Sequence, residues 1–256
     1  MKILSSIVKV AIIASCLLGI VTFQRNTLTS LNSKASKDDY LQQEKADKIS
    51  LQILQKIPSF GFSNLVADWA FLQFIQYFGD TPARDQIGYA LVPEYFAAVV
   101  NHDPRFVRAY LYFSTASSIF AGRPDRTVAL MNHGLAYLSP AIADAYYIWL
   151  YKGVDEILFL GDTKAARHSY AMAAQWAKQS GNPQVAASAA QSAQFLAHNP
   201  DSKRAQASAW VSILANATDA RVQHLALSRI QALGGKVRIM NQGGARFVSL
   251  EMPQND

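Results

Sequence analysis

Residues 139–183 read SPAIADAYYIWLYKGVDEILFLGDTKAARHSYAMAAQWAKQSGNP, and the punctuation of this stretch decides the fold. A capping residue stands directly before proline at both ends, as Ser139-Pro140 and Asn182-Pro183. Ser and Asn side chains accept from the free N–H groups of a helix's first turn, and proline suits the first helical position because the N–H it lacks has no partner there. Midway, Leu160-Gly161 closes an apolar run, and glycine just past a helix end is the matching stop signal. The stretch therefore reads as two helices, 140–160 and 162–180, joined by a tight turn.

The same signals extend outward. Asp103-Pro104 and Asn199-Pro200 repeat the start, and Gly79 and Gly122 repeat the stop. Prolines 104, 140 and 183 lie 36 and 43 residues apart, the period of a two-helix repeat. Further helices are expected over 82–102, 104–121, 123–138, 183–198, 200–216 and 218–233. Asp38 is the expected cap of an earlier helix whose Ala46, Ile49, Ile53 and Ile57 recur at helical spacing, with the isoleucines turned onto the first repeat. Residues 60–78 are the most apolar part of the body and are expected to form a buried helix rather than a membrane span, because Asp68, Gln73 and Gln76 interrupt them. Asp68, set among aromatics, is expected to be buried and hydrogen-bonded to a neighbouring helix or to Arg84. Of the 28 aromatic residues, 23 fall between Phe60 and Trp176, which puts the large side chains in the first hairpins. After Gly234-Gly235, residues 236–240 and 246–250 flank Asn-Gln-Gly-Gly-Ala and suggest a short β-hairpin tail.

Charge and cysteine content narrow the function. Lys2, Lys9 and Arg25 supply three of the six net positive charges, so the rest of the chain carries only about +3, too little for a nucleic-acid binder. One local excess, Arg221, Arg229, Lys236, Arg238 and Arg246 with no acid between 220 and 250, is a candidate contact for anionic lipid. Cys16 is the sole cysteine and lies in the apolar N-terminus, so the body has neither a disulfide framework nor a thiolate metal site.

Residues 10–23, VAIIASCLLGIVTF, carry no charge, and extension back to Ile3 adds only Lys9. About 20 apolar residues span a bilayer. A cleaved signal peptide would need a small-x-small site sooner than Ser33-Lys34-Ala35, and a lipoprotein signal would not keep Leu17 to Phe23 apolar after its cysteine. A retained signal anchor through residues 3–23 is preferred. Lys2 and Lys9 favour a cytoplasmic N-terminus and a body on the exported side. The organisation expected is an anchor over 1–25, a linker and amphipathic helix over 26–58, a helical repeat domain over 59–233 and a tail over 234–256.

In helix 162–180, Ala166, Tyr170 and Ala173 carry the small–aromatic–small spacing of a tetratricopeptide second helix; Leu91, Tyr95 and Ala98 follow it loosely, and Ala129, His133 and Ala136 keep its small positions. Tyr110 and Tyr146 stand near the aromatic position of first helices. Over roughly 60–217 the chain thus resembles the tetratricopeptide-like family, without its usual Leu-Gly pair and with longer units. GFSNLVADWAFLQFIQYFGD and NHDPRF also resemble membrane-anchored bacterial proteins of that type. The resemblance implies an all-α, right-handed α-solenoid whose first helices line a concave groove, and a role in binding other proteins. Arg108, Leu111, Thr115, Asp144, Tyr147 and Tyr151 are the groove residues so implied. Partners would be membrane-protein subunits or extended peptide segments.

Catalytic patterns are sparse. The five histidines show no metal-ligand spacing, no phosphate loop or nucleophile elbow occurs, and no cofactor or metal site is expected. Asp68, Glu94, Asp144, Asp155 and Glu156 are the acids to weigh for glycoside hydrolysis. Asp155 and Glu156 are adjacent, so on a helix they point about 100° apart rather than facing each other. A non-catalytic membrane-anchored scaffold that assembles membrane proteins is the expected function. The alternative is a helical-toroid enzyme of the cell envelope acting on polysaccharide or peptidoglycan.

Overall fold

The computed structural model describes residues 14–22, 35–198, 203–217, 219–242 and 245–252. They form two compact units, Met1–Lys45 and Ala46–Asp256. The described part of the first holds helix α1 (residues 14–22) and the opening of α2 (Lys37–Leu54). Ser36, not Asp38, caps α2: its Oγ accepts from the backbone N–H of Asp39 at 3.2 Å, while its own backbone N–H donates to Asp39 Oδ2 at 2.8 Å. This reciprocal box satisfies first-turn groups that helical hydrogen bonding leaves open. No helix among the described residues is long and apolar enough to cross a membrane. Most of the expected anchor, with residues 1–13 and 23, lies outside the described residues, as does Asn199-Pro200.

The second unit is mostly helical. It continues α2 and adds α3 (Ser63–Gly79), α4 (Thr81–Ile87), α5 (Val92–His102), α6 (Val107–Thr115) running into a π turn (Ala116–Phe120), α7 (Pro124–Leu135), α8 (Tyr146–Leu158), α9 (Thr163–Gln179), α10 (Pro183–His198), α11 (Lys203–Asn216) and α12 (Ala220–Ala232). Antiparallel strands β1 (Lys236–Gln242) and β2 (Ala245–Glu251) follow, in register Val237 with Leu250 and Ile239 with Val248.

The proline signals divide. Asn182-Pro183 opens α10 as expected, with Asn182 Oδ1 accepting from Val185 N at 3.2 Å. Asp103-Pro104 and Ser139-Pro140 do not start helices. Asp103 Oδ1 accepts from the N–H of Arg105, two residues on, which closes a turn and delays α6 to Val107. After Ser139-Pro140 the chain turns through Asp144, at φ 62°, a left-handed conformation that Asp tolerates, and α8 begins only at Tyr146. The expected helix 82–102 is likewise broken, by Gly88 at φ 75°.

Packing follows chain order, with α8 against α9, α9 against α10 and α11 against α12, while α5 packs on α3 and α7, and α6 on α8. The main core is aromatic. Phe74, Phe96, Tyr110 and Phe113 are fully buried; the Phe96 and Phe113 rings stack at 4.7 Å and Phe74 lies 4.3 Å from Phe113. Gly134 of α7 admits the Tyr110 ring so closely that a Cβ there would overlap the phenol, so no larger residue fits. A smaller core of Trp210, Leu214, Ala226 and Ile230 takes Val237, Val248 and Leu250 from the hairpin. An isolated hairpin is marginal in water, and this one is held by α11 and α12.

Three expectations fail on the outer side of α2 and α3. Ile49, Ile53 and Ile57 are exposed, because α2 turns Leu51 and Leu54 inward, and its end is tied to α5 by Gln55 Nε2 to Glu94 O (3.1 Å) and by the contact of His102 Nε2 with Leu54 O (2.8 Å). The α3 helix buries Ala67, Ala70, Phe74 and Tyr77 but leaves Phe62, Leu65, Trp69 and Leu72 in solvent. Asp68 lies on the outer side and is exposed, not buried. Arg84, its expected partner, instead donates to Gly88 O at 2.6 Å and sits 3.6 Å over the Tyr77 ring.

Candidate binding cavity at α6, α8 and α11

Helix α8, YYIWLYKGVDEIL, sorts its polar side chains by helical phase. Tyr147, Tyr151 and Asp155 recur every four residues and share one face. Lys152 and Glu156 share another. The first face borders a cavity of about 820 Å³ whose walls also include Ser114 and Thr115 of α6, Tyr170 of α9, Gln191 and Phe195 of α10, and Ser208 and Ser212 of α11. Ligand cavities typically measure about 300–1,000 Å³ and combine apolar walls with a few placed polar groups. Leu150, Val154, Leu196 and Ile213 supply the apolar surface here.

Among the described residues Asp155 is the only carboxylate on that wall, and its residue is 2% exposed. Ser114 Oγ donates to its Oδ2 at 2.9 Å. Ser118 stands four residues further, in the π turn, and its hydroxyl also favours the ionised carboxyl. Burial outweighs both and pushes the Asp155 carboxyl up to about 8, with the Glu156 charge adding to the rise. The Tyr170 phenol is pushed up to about 12, first by burial and then by the charges of Glu156 and Asp155, and burial also raises Tyr151.

Glu156 points to α9. Lys152 Nζ donates to Glu156 Oε1 at 2.6 Å and to Ser169 Oγ at 2.9 Å, and Ser169 donates to Glu156 Oε2 at 2.6 Å. A serine beside a lysine can form a catalytic dyad. Here Ser169 is fully buried, is not on the cavity wall, and faces an ammonium committed to a carboxylate, so no substrate reaches it and Lys152 is not free to act as its base. Asp155 and Glu156 serve separate partners on separate faces, as their adjacency requires, and do not form a facing acid pair.

The six expected groove residues separate cleanly. Thr115, Tyr147 and Tyr151 are brought together on the cavity wall. Arg108 is exposed and Leu111 half-buried on α6, and neither borders the cavity. Asp144 lies in the turn before α8, exposed, accepting from Tyr146 Oη at 3.3 Å. Glu94 pairs with Arg126 at 3.1 Å, away from the cavity. The basic C-terminal stretch is partly spent on local contacts: Arg221 pairs with Asp85 (3.1 Å) and Asp219 (3.2 Å), and Arg238 with Glu251 (3.0 Å), while Arg229 and Lys236 remain exposed. The placement of the Arg246 side chain lies outside the described residues. No group of three or more His, Cys, Asp or Glu residues suited to a metal ion occurs among the described residues.

Comparison with known proteins adds no relative: no protein-family model, no curated protein and no solved structure matches the chain.

Proposed function

We propose that this chain is a non-catalytic, membrane-anchored scaffold that holds a segment of another membrane protein in the cavity bordered by α6, α8 and α11. The observation that carries this reading is the cavity itself. It is large, mixed in chemistry, and lined by the Thr115, Tyr147 and Tyr151 surface that a repeat groove would present. Tyrosine suits such a role because it buries much area with little entropy loss and keeps a polar tip. The pairing of consecutive helices, with α5 on α7 and α6 on α8, supports a tetratricopeptide-like stacking of helical hairpins in a right-handed α-solenoid.

The apolar segment 3–23 supports anchoring, with the body on the exported side. The exposed Phe60, Phe62, Leu65 and Trp69 fit work at a bilayer surface, where aromatic rings settle at headgroup depth. Exposed Asp68 beside them keeps that contact shallow.

Affinity recovery of the tagged full chain from crosslinked native membranes tests the function. The expected result is the same membrane protein in every repeat, reduced about tenfold or more when Tyr147 and Tyr151 are both changed to Ala, since truncating a central contact residue costs about 2 kcal/mol. Recovery unaffected by the double change, with helicity preserved, would remove the cavity as the binding surface.

A further inference from the structure

We propose that the cavity recognises a cationic side chain carried on apolar surface, a lysine or arginine of the bound segment, with the Asp155 carboxylate as its counter-charge. This rests on the scaffold reading and names the chemistry of its partner.

Asp155 is buried on the wall of a large cavity, yet no ammonium or guanidinium among the described residues pairs with it. Its Oδ2 is met by the neutral hydroxyl of Ser114. The nearest lysine in sequence, Lys152, is one helical turn away but is held toward α9 by Glu156 and Ser169. The contrast on one helix is informative: of two neighbouring buried carboxylates, one has its cation inside the fold and the other faces an open cavity without one. A buried carboxylate lacking a counter-charge is costly, and its proton affinity rises accordingly. A cation arriving from outside would let Asp155 ionise in place, with the pair desolvated by the apolar walls.

The surroundings suit a basic side chain with a methylene stem. Tyr151 and Tyr147 stand one and two helical turns before Asp155 on the same face, and Tyr170 approaches from α9. Aromatic faces attract cations, and Leu150 and Val154 can cover the stem. The charged and titratable groups facing Asp155 are Tyr151 and the paired Lys152–Glu156 of α8, Tyr170 of α9, and Arg204 of α11 on the cavity wall. Arg204 is exposed, so its repulsion of an incoming cation is screened by solvent.

The test uses the full chain in phosphatidylcholine nanodiscs at pH 7, with n-butylammonium, n-butanol and n-butyrate as probes sharing one carbon chain. Binding is followed by chemical-shift titration. The butylammonium ion is expected to bind about tenfold tighter than the other two, and Asp155→Asn to erase that preference while butanol binding persists. Between pH 6 and 8 the preference of the unmodified chain should grow, because the cation must displace a proton. Equal binding of the three probes, or a preference that survives Asp155→Asn, would overturn the site. A second arm compares acetyl-Leu-Lys-Leu-amide with acetyl-Leu-Gln-Leu-amide. Preference for the lysine peptide, lost in Asp155→Asn, supports the whole proposal. Preference for butylammonium without preference for the lysine peptide would leave a free-amine site and contradict the segment-binding scaffold.

Discussion

Replacing Lys152 by Met is expected to destabilise the protein by about 3–5 kcal/mol, because it strands the Glu156 carboxylate inside the fold. The Lys152 and Glu156 side chains are 6% and 4% exposed and 2.6 Å apart, and Ser169 completes their hydrogen bonding. Removing the cation alone leaves a buried carboxylate that must take up a proton or stay uncompensated, and both cost stability. The paired replacement Lys152→Met with Glu156→Met removes both charges. It should recover most of the loss, leaving about 1 kcal/mol for the hydroxyl of Ser169, which then lacks a strong acceptor. Urea unfolding of the three proteins checks this. If the double variant is as unstable as the single one, the pair is not an isolated electrostatic unit.

The second large effect is a fall in stability with rising pH, centred on Asp155. Its folded-state carboxyl titrates at about 8, against an ordinary aspartate value of 3.8. Between these values the unfolded chain has lost the proton and the folded chain keeps it, so the folded state binds more protons and stability falls as pH rises. The contribution is complete below about pH 4, declines by up to about 1.4 kcal/mol per unit, and is gone above about pH 8. Asp155→Asn keeps an oxygen to accept from Ser114 and has no proton to lose. The variant is expected to be more stable than the parent by a few kcal/mol at pH 8.5 and to show a flatter profile from pH 5 to 8.5. Thermal unfolding at several pH values provides the check, and parallel profiles would show that Asp155 is ionised in the fold.

These two effects arise from neighbouring residues, and they illustrate what the sequence could and could not reveal. Helical phase placed Asp155 and Glu156 on different faces and put Tyr147 and Tyr151 on one. It could not supply Ser114, 41 residues upstream, or Ser169, whose contacts decide the role of each acid. The π turn after α6, which carries Ser118 one turn beyond the Ser114 that meets Asp155, has no clear sequence signature. Asp68 drew attention because α3 is apolar nearly all round, and such a helix suggests burial on every side. Only one side meets the core, so Asp68 stands in solvent.

The same limit applies to the helix starts. Asn182-Pro183 and Asp103-Pro104 are chemically alike, yet one caps a helix and the other closes a two-residue turn. The side-chain oxygen can take either N–H, and packing further along decides between them. The helical character, the aromatic core between Phe60 and Trp176 and the closing hairpin followed from local pattern. The delayed starts of α6 and α8 and the break at Gly88 did not.

The central claim, that the cavity at Tyr151 holds a partner segment, is tested most directly by a photoreactive phenylalanine analogue placed at position 151 of the full chain in native membranes. A matched probe at Lys164, exposed on α9, serves as control. Irradiation is predicted to give one reproducible membrane-protein adduct from position 151, absent from position 164 and weakened by Asp155→Asn. Adducts equal at both positions, or none at 151 while the chain remains folded, would contradict the account.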